Sequence, residues 1–284
     1  MRTRVDTIDF HGLRALRLKA ADGSSAVLTE HGAHVVSWQT ADGHERLYLS
    51  PRSRYAQGQA IRGGIPVIFP QFGATGPLPR HGIVRTVPWH ASGTGGDGTN
   101  AWAALRLESD DASRGVWPHD FAATLVLSIG PSSIDVALRI ENTGSDSMAF
   151  SVALHTYLAV NRIEAALVLG LGGCSYRDHV ACGAVEVQLP HELRVDGPID
   201  RVYTDVPAIL SLVEGHATTT LTSAGFPDAV VWNPGPLACS NSPDMPVDAW
   251  QRMLCIEAAA VDKPVVISPG QNWTGSQRIT APAR

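Results

Sequence analysis

The sequence lacks long apolar runs and has few charged residues, and each shortage excludes a class of protein. No stretch approaches the roughly 20 apolar residues of a membrane span, and no apolar region follows the arginines of the N-terminal segment MRTRVDTIDF, so a signal peptide is not expected. Charged residues make up 17% of the chain, with a formal net charge of -5. This balance argues against a general nucleic-acid or membrane-surface binder.

Cysteine is also scarce, and the common catalytic and metal-binding motifs are missing. The four cysteines, Cys174, Cys182, Cys239 and Cys255, form no C-x-x-C pattern, so we expect reduced thiols in a cytoplasmic protein. A Cys174–Cys182 pairing is the one alternative. The histidines have no H-E-x-x-H context, and no G-x-S-x-G elbow or phosphate-cradling G-x-x-x-x-G-K-[ST] loop occurs. We therefore expect neither a metal nor another cofactor.

The pattern that is present repeats every two residues, which is typical of β-strands with one buried face. Apolar residues alternate with polar ones in segments 125–129 and 134–140, and Gly-Pro-Ser-Ser at 130–133 predicts the turn between them. A longer strand-like run follows at 148–160. Further strands are expected at 16–19, 27–38, 46–49, 217–222, 229–232, 253–259 and 265–268.

No segment predicts an amphipathic helix of three or more turns, whereas 27 glycines and 19 prolines punctuate the chain. Many short strands joined by turns require such residues. The glycine-rich segment 92–100 reads as a surface loop. We therefore expect an all-β protein in which residues 1–284 form a single β-sandwich domain.

Two basic segments suggest a ligand pocket. Arg62 precedes a glycine pair, where the backbone can approach a ligand closely and a guanidinium can offer several donors. His81 and Arg85 lie four residues apart, so they would share a face of a regular strand next to Trp89. A solvated Arg62 in a tight turn and a structural His81 remain the alternatives.

Two further positions predict acid–base chemistry. His155 lies in the strand-like run with Ser151 and Tyr157 on the same face, which suits a cleft better than a core, although a hydrogen-bonded core histidine is about as plausible. Glu257 is the one carboxylate in the apolar run MLCIEAAA. Because burying an unpaired charge is costly, a glutamate there needs a partner or a function. Desolvation would also raise its pKa and strengthen it as a base.

Six segments in order carry a resemblance to a known family. IRGGIPVIFPQFG, LPRHGIVRTVPW, ALHTYL, VWNPG, DMPVDAWQRMLCIEAA and PGQNWTGSQRI resemble the glucose-6-phosphate 1-epimerases, or hexose-6-phosphate mutarotases, of the aldose 1-epimerase superfamily. The resemblance extends from about residue 28 to residue 280. It implies a galactose-mutarotase-like β-supersandwich with an open cleft on one face.

The resemblance also implies roles for individual residues. His155 matches the family's proton donor and Glu257 its base. Arg62, His81 and, more loosely, Gln71 match substrate-binding positions. Arg85 corresponds to an arginine tied to the phosphate. Asp200 corresponds to an aspartate that holds sugar hydroxyls. Arg54 and Arg80 are weaker candidates for the phosphate.

The expected function is the interconversion of the α and β anomers of a hexose 6-phosphate, with glucose 6-phosphate favoured. We expect a monomer that binds this small sugar phosphate and binds neither nucleic acid nor a membrane. His155 and Glu257 should then face each other across a space the size of one pyranose. An aldose 1-epimerase for unphosphorylated hexoses, a non-catalytic carbohydrate-binding protein and a plain interaction domain are the alternatives. The last fails to explain Glu257 in its apolar strand.

Overall fold

β-Strands dominate the computed structural model of the protein, which describes residues 2–282. The strands are β1 (Arg4–Phe10), β2 (Leu13–Lys19), β3 (Ser25–Thr29), β4 (His34–Gln39), β5 (Val67–Ile68), β6 (His90–Gly96), β7 (Ala101–Glu108), β8 (Phe121–Gly130), β9 (Ser133–Asn142), β10 (Met148–Leu154), β11 (Tyr157–Ala159), β12 (Ala166–Leu169), β13 (Ser175–Asp178), β14 (Ala184–Val187), β15 (Glu192–Arg194), β16 (Ile199–Tyr203), β17 (Ile209–Glu214), β18 (Ala217–Ala224), β19 (Asp228–Asn233), β20 (Met253–Ile267) and β21 (Asn272–Thr280). The helices are α1 (Asp111–Val116) and α2 (Gly235–Ser240), with short 3-10 turns at Val84–Thr86, Ile163–Ala165 and Ala249–Gln251. No helix in residues 2–282 is long and apolar enough to cross a membrane.

Three antiparallel sheets contain these strands. The N-terminal sheet contains β1 to β4 in chain order. The eight-stranded sheet has the order β14-β13-β16-β19-β20-β10-β5, with β11 also paired to β20. The nine-stranded sheet has the order β15-β12-β17-β18-β21-β9-β8-β7-β6.

One hydrophobic core joins the three sheets, because each contributes its apolar face. Leu16 of β2, Leu138 of β9 and Ile256 of β20 all belong to it. Alternation explains this burial: β9 buries every second residue from Ile134 to Asn142 and leaves those between partly or fully exposed. The all-β prediction and the predicted hairpin with its turn at 130–133 are confirmed.

The glycine-rich segment 92–100 is not the predicted loop. Most of it belongs to β6, which pairs with β7, and only residues 97–100 turn. A Cβ atom on Gly95 would lie 2.7 Å from Nε1 of Trp102 on the neighbouring strand. The glycines of the edge strand β6 therefore leave space for the indole ring of Trp102 on β7.

Three predicted strand boundaries were also wrong. Segments 253–259 and 265–268 are one strand, β20, because its far half continues to pair with β10 after a register shift. Segment 27–38 is split by a turn in which Gly32 and Ala33 have positive φ. Segment 46–49 makes only isolated bridges.

A long connection between β4 and β6 carries four of the predicted site residues, Arg62, Gln71, His81 and Arg85, and is anchored by close backbone contacts. Phe69, next to β5, forms an isolated parallel bridge with Gly82, and the Ile83 N–H donates to the Phe69 carbonyl oxygen. Gly82 has a φ of 73°, and a Cβ atom there would lie 2.0 Å from that oxygen. Only glycine fits this position.

We expect Gly82→Ala to lower the free energy of unfolding by about 1–3 kcal/mol more than Gly43→Ala, because overpacking adds to the strain. Gly43 is the matched control: its φ is 82°, yet no atom lies within 4 Å of the position that a Cβ atom would take there. Urea unfolding of both variants measures the difference. Equal losses would show that the contact with Phe69 does not constrain the loop.

Candidate active site

A cleft of about 450 Å³ lies on the face of the eight-stranded sheet that points away from the shared core. It gathers side chains that are far apart in the sequence. Six of the seven predicted site residues line it: Arg62, His81, Arg85, His155, Asp200 and Glu257. Gln71 does not.

Strand β20 places Glu257 in this cleft by simple alternation. Ile256 and Ala258 pack into the shared core, so Glu257 projects from the opposite face. Its side chain is only 1% exposed. Burial, and then the nearby carboxylate of Asp200, raise the pKa of Glu257 well above its usual value.

His155 occupies a break between two strands. The predicted run 148–160 is divided into β10 and β11, and the His155 N–H donates to the carbonyl oxygen of Pro66. Its imidazole stacks on the Tyr157 ring, with centroids 4.7 Å apart and planes 9° from parallel. Trp232 approaches edge-on at 6.0 Å. These contacts fix the orientation of the imidazole.

The charge state of His155 follows from this enclosure. Burial lowers its pKa well below the usual value, and electrostatic interactions with His81, Arg62 and Arg85 lower this pKa further. The imidazole of the free protein is therefore neutral.

His155 and Glu257 are in direct contact, which corrects the expectation of a pyranose-sized gap between them. Nδ1 of His155 lies 3.2 Å from Oε1 of Glu257. Within residues 2–282, neither this Nδ1 nor Oε2 of Glu257 has a hydrogen-bond partner. Because burial disfavours both charged forms, it favours a neutral imidazole beside a neutral carboxylic acid, so the two groups have one acidic proton between them. One proton shared by two adjacent groups can be given to or taken from a bound ligand.

A buried polar network lies directly beneath this pair. Gln277 of β21 reaches across from the nine-stranded sheet, and its Oε1 accepts a hydrogen bond of 2.5 Å from the Thr156 hydroxyl. Its Nε2 donates to the carbonyl oxygen of Ile256 at 3.2 Å. Thr156 follows His155 and Ile256 precedes Glu257, so one amide ties together the backbones that carry both groups.

Arg62 is held at one end of the cleft. Its Nε donates to Oδ2 of Asp244 at 3.0 Å, and its Nη1 donates to the Tyr157 hydroxyl at 3.2 Å. Both bonds fix the guanidinium and leave N–H groups for a ligand. Asp244 offsets part of its charge.

The segment from Arg80 to Arg85 supplies the remaining basic groups. His81 and Arg85 both line the cleft, but the reasoning from strand alternation was wrong: His81 has a φ of 66°, and Val84–Thr86 is a 3-10 turn. Nη2 of Arg85 donates to the Arg80 carbonyl oxygen at 3.1 Å. The Arg80 side chain is exposed at the rim.

His81 is a buried, neutral group in the cleft wall. Its Nδ1 accepts a hydrogen bond from the backbone N–H of Gly73 at 3.3 Å. Burial, and then the positive charge of Arg85, lower its pKa to about 3. With Nδ1 accepting, the proton of this neutral ring lies on Nε2, which can donate to a ligand.

The structure places Asp200 in the cleft lining and Gln71 outside it. Asp200 lines the cleft with its Oδ1 3.7 Å from Nδ1 of His179, and burial raises its pKa. The Gln71 amide is used internally, because it donates to the carbonyl oxygen of Leu78 and accepts from the Leu78 N–H, both at 3.0 Å. Gln71 thus braces the loop before His81 and lies outside the cleft.

Sequence reasoning did not single out several cleft or supporting residues, namely Tyr157, Trp232, His179, Asp244 and Gln277. Tyr157 could have been found, since it lies two residues from His155 on the same face. Trp232 is paired in register with Cys255, and His179 and Asp244 reach the site only through the fold. Their separation along the chain leaves no local signal.

One group of potential metal ligands occurs in the part of the chain that the structure describes. It consists of His155, Cys255 and Glu257, all buried, with one ligand atom of each within 4.8 Å of the others.

The four cysteines are free thiols, so the alternative Cys174–Cys182 pairing is wrong.

Comparisons with known proteins show similarity over most of the chain. The family model described as aldose 1-epimerase matches residues 14–280. A protein of Cenchrus ciliaris provisionally named glucose-6-phosphate 1-epimerase is 32% identical over 280 residues, 95% of this chain and 85% of that protein. One of Escherichia coli K12 with the same provisional name is 32% identical, over 80% of this chain and 77% of its own length.

Solved structures show the same fold. A protein of Salmonella typhimurium provisionally named a mutarotase superposes with a TM-score of 0.91 at 27% identity, covering 99% of this chain and 94% of its own. A galactose mutarotase-like protein of Clostridium acetobutylicum has a TM-score of 0.79 at 13% identity, covering 100% and 99%. The predicted galactose-mutarotase-like fold is confirmed.

We expect Gln277→Leu to lower the free energy of unfolding by about 1–3 kcal/mol, because it leaves the buried Thr156 hydroxyl without its acceptor. Adding Thr156→Val should restore part of this loss, since removing both partners removes the unpaired group. Thr274→Val, at an exposed position of the same strand, is the control and should change stability by less than about 0.5 kcal/mol. Urea unfolding tests this; a Gln277 variant no less stable than the control would contradict it.

Proposed function

The chain belongs to the aldose 1-epimerase family, and on that premise we propose that it interconverts the α and β anomers of glucose 6-phosphate, with His155 and Glu257 as its acid and base. The family makes it a sugar isomerase. The observation that carries the residue roles is the buried contact between the imidazole and the carboxyl group, 3.2 Å apart in a cleft. The provisional names of the relatives support the phosphorylated substrate.

Anomer exchange suits two groups in contact. The ring opens when the ring oxygen gains a proton and the hydroxyl group on C1 loses one. Both oxygens are bonded to the same carbon, so the two groups that serve them must also be neighbours. A pair separated by a whole pyranose could not reach both oxygens from one side.

The proton balance closes without any other reactant. His155 in its protonated form donates to the ring oxygen while Glu257 takes the proton of the C1 hydroxyl, which gives the open-chain aldehyde. The aldehyde turns about the C1–C2 bond, and the ring closes as each group reverses its role. The open-chain state leaves a neutral imidazole and a carboxylic acid, the forms that burial favours in this site.

The basic end of the cleft suits a phosphate group. Arg62, Arg80 and Arg85 line it, and guanidinium groups bind phosphate oxygens through paired hydrogen bonds. A phosphate dianion there also offsets the charges of Arg62 and Arg85 that oppose protonation of His155. The phosphorylated sugar would thereby favour the charged pair that begins ring opening.

The remaining predicted residues are assigned to the sugar hydroxyls. His81 can donate from Nε2, and Asp200, which also lines the cleft, can accept from hydroxyl groups. Gln71 keeps only an indirect role through the loop that it braces.

We also retain a single domain, a monomeric state and a cytoplasmic location as predictions. The family match over residues 14–280 supports the single domain.

An aldose 1-epimerase for unphosphorylated hexoses is the second candidate, and one observation favours it. Arg62 already has an anionic partner, because Nε donates to Asp244. If Arg80 and Arg85 do not take the phosphate, the cleft would treat free and phosphorylated sugars alike.

We expect His155→Asn and Glu257→Gln each to slow anomer exchange by about 10²–10⁴-fold, the contribution of one general acid or base. The two losses should not add in the double variant, since the pair acts as a unit. Exchange NMR of the two anomers of glucose 6-phosphate, after subtraction of the spontaneous rate, measures the effect.

His90→Asn and Glu108→Gln, at exposed positions outside the cleft, are the controls and should exchange at the wild-type rate. Unfolding curves confirm that each variant is folded. Near-normal exchange in a folded His155 or Glu257 variant would reject the assignment.

We expect Arg85→Ala to reduce kcat/KM for glucose 6-phosphate about 10–100-fold more than for glucose, the loss of a charged hydrogen bond. Arg54→Ala is the control, since its side chain is exposed and lies outside the cleft lining. Equal losses for both sugars would favour the second candidate.

A further inference from the structure

Cys255 has no place in the acid–base chemistry, yet it lies against both groups that do. Alternation along β20 puts Cys255 and Glu257 on the same face of the strand. One ligand atom each of His155, Cys255 and Glu257 lies within 4.8 Å of the other two. All three residues are buried, with Cys255 fully enclosed.

The polar atoms of this cluster are unsatisfied in a way that points to a ligand. Nδ1 of His155 and Oε2 of Glu257 lie in the protein interior without a hydrogen-bond partner in residues 2–282. Most buried polar atoms are hydrogen-bonded, so two unpaired atoms in adjacent residues require an explanation. Both residues line the cleft, so a small ion can reach them.

The donor set indicates which ion. An imidazole nitrogen, a thiolate sulfur and a carboxylate oxygen together suit Zn²⁺, whereas the thiolate disfavours Mg²⁺ and Ca²⁺. Ordinary bond lengths around tetrahedral Zn²⁺ place such ligand atoms about 3.4–3.6 Å apart. The distance between Nδ1 of His155 and Oε1 of Glu257, 3.2 Å, is already close to this value.

We propose that His155, Cys255 and Glu257 form an inhibitory Zn²⁺ site at the floor of the cleft. Small side-chain movements bring the thiol to the ion, and the fourth position faces the cleft. The bound ion occupies the nitrogen and the carboxylate that exchange protons with the sugar, so Zn²⁺ and substrate exclude each other. The thiol and carboxyl protons pass to solvent as the ion binds.

Binding of the ion stands on the cluster alone, whereas its inhibitory effect rests on the proposed function. The two parts are therefore measured separately. The Zn²⁺ ion acts here as an inhibitor, so the proposal is compatible with a reaction that uses no cofactor.

The test titrates the full chain with Co²⁺, a spectroscopic substitute for Zn²⁺, under a non-thiol reductant. We expect a thiolate-to-Co²⁺ charge-transfer band in the near ultraviolet that saturates at one equivalent and is abolished by Zn²⁺. Cys255→Ser should lose the band, and Cys182→Ala, which removes an exposed thiol, should keep it. No band in the wild type, a band retained in Cys255→Ser, or one lost in Cys182→Ala would overturn the site.

Anomer exchange gives the second readout. Zn²⁺ should slow exchange in the wild type, glucose 6-phosphate should protect against it, and a chelator should restore the rate. Cys255→Ser should exchange at the wild-type rate and resist Zn²⁺. Inhibition that persists in this variant would refute the proposal.

A second variant covers the case in which Cys255→Ser fails to fold. Glu257→Gln keeps the thiol and the imidazole, so Co²⁺ should still give the band but saturate at a higher concentration; unchanged affinity would remove Glu257 from the site. A protein that binds Co²⁺ through Cys255 but does not exchange anomers would refute the proposed function and leave the metal site intact. A protein that exchanges anomers but gives no Co²⁺ band would refute the metal site and leave the proposed function intact.

Discussion

The site depends on keeping an imidazole and a carboxyl group, both buried, in contact within the cleft. Either group alone would be costly to bury in its charged form, and together they avoid the cost by holding a single proton. This constraint explains the enclosure of His155 by Tyr157 and Trp232 and the near-complete burial of Glu257. A more open cleft would let water hydrate both groups and fix them as an ordinary cation and anion.

The sandwich architecture holds this contact in place from behind. Gln277 belongs to the nine-stranded sheet but bonds to Thr156, in the break between β10 and β11, and to Ile256 of β20, next to His155 and Glu257. The stability of the core and the geometry of the cleft are therefore coupled through one amide. In front, Arg62 is bonded to the Tyr157 hydroxyl, which connects the basic end of the cleft to the ring that stacks on His155.

Sequence reasoning singled out the two groups to which the acid and base roles are assigned under the proposed function, because each broke a local pattern. Glu257 interrupts an apolar strand, and His155 shares a face with small and polar residues. It failed where the cause is not local: Asp244 lies 182 positions from Arg62, and the glycines of β6 are explained by Trp102 on another strand. The motif match for Gln71 was too loose to show that its amide is used within its own loop. The break between β10 and β11 was missed because it depends on hydrogen bonds to segment 64–66.

A crystal structure of the Glu257→Gln variant with glucose 6-phosphate tests the central claim most directly. The account predicts that the ring oxygen lies within hydrogen-bonding distance of the His155 imidazole, and the C1 hydroxyl within that of the amide introduced at position 257. The phosphate group should lie among Arg62, Arg80 and Arg85. A sugar bound with C1 away from His155, or with its phosphate group remote from these arginines, would contradict it.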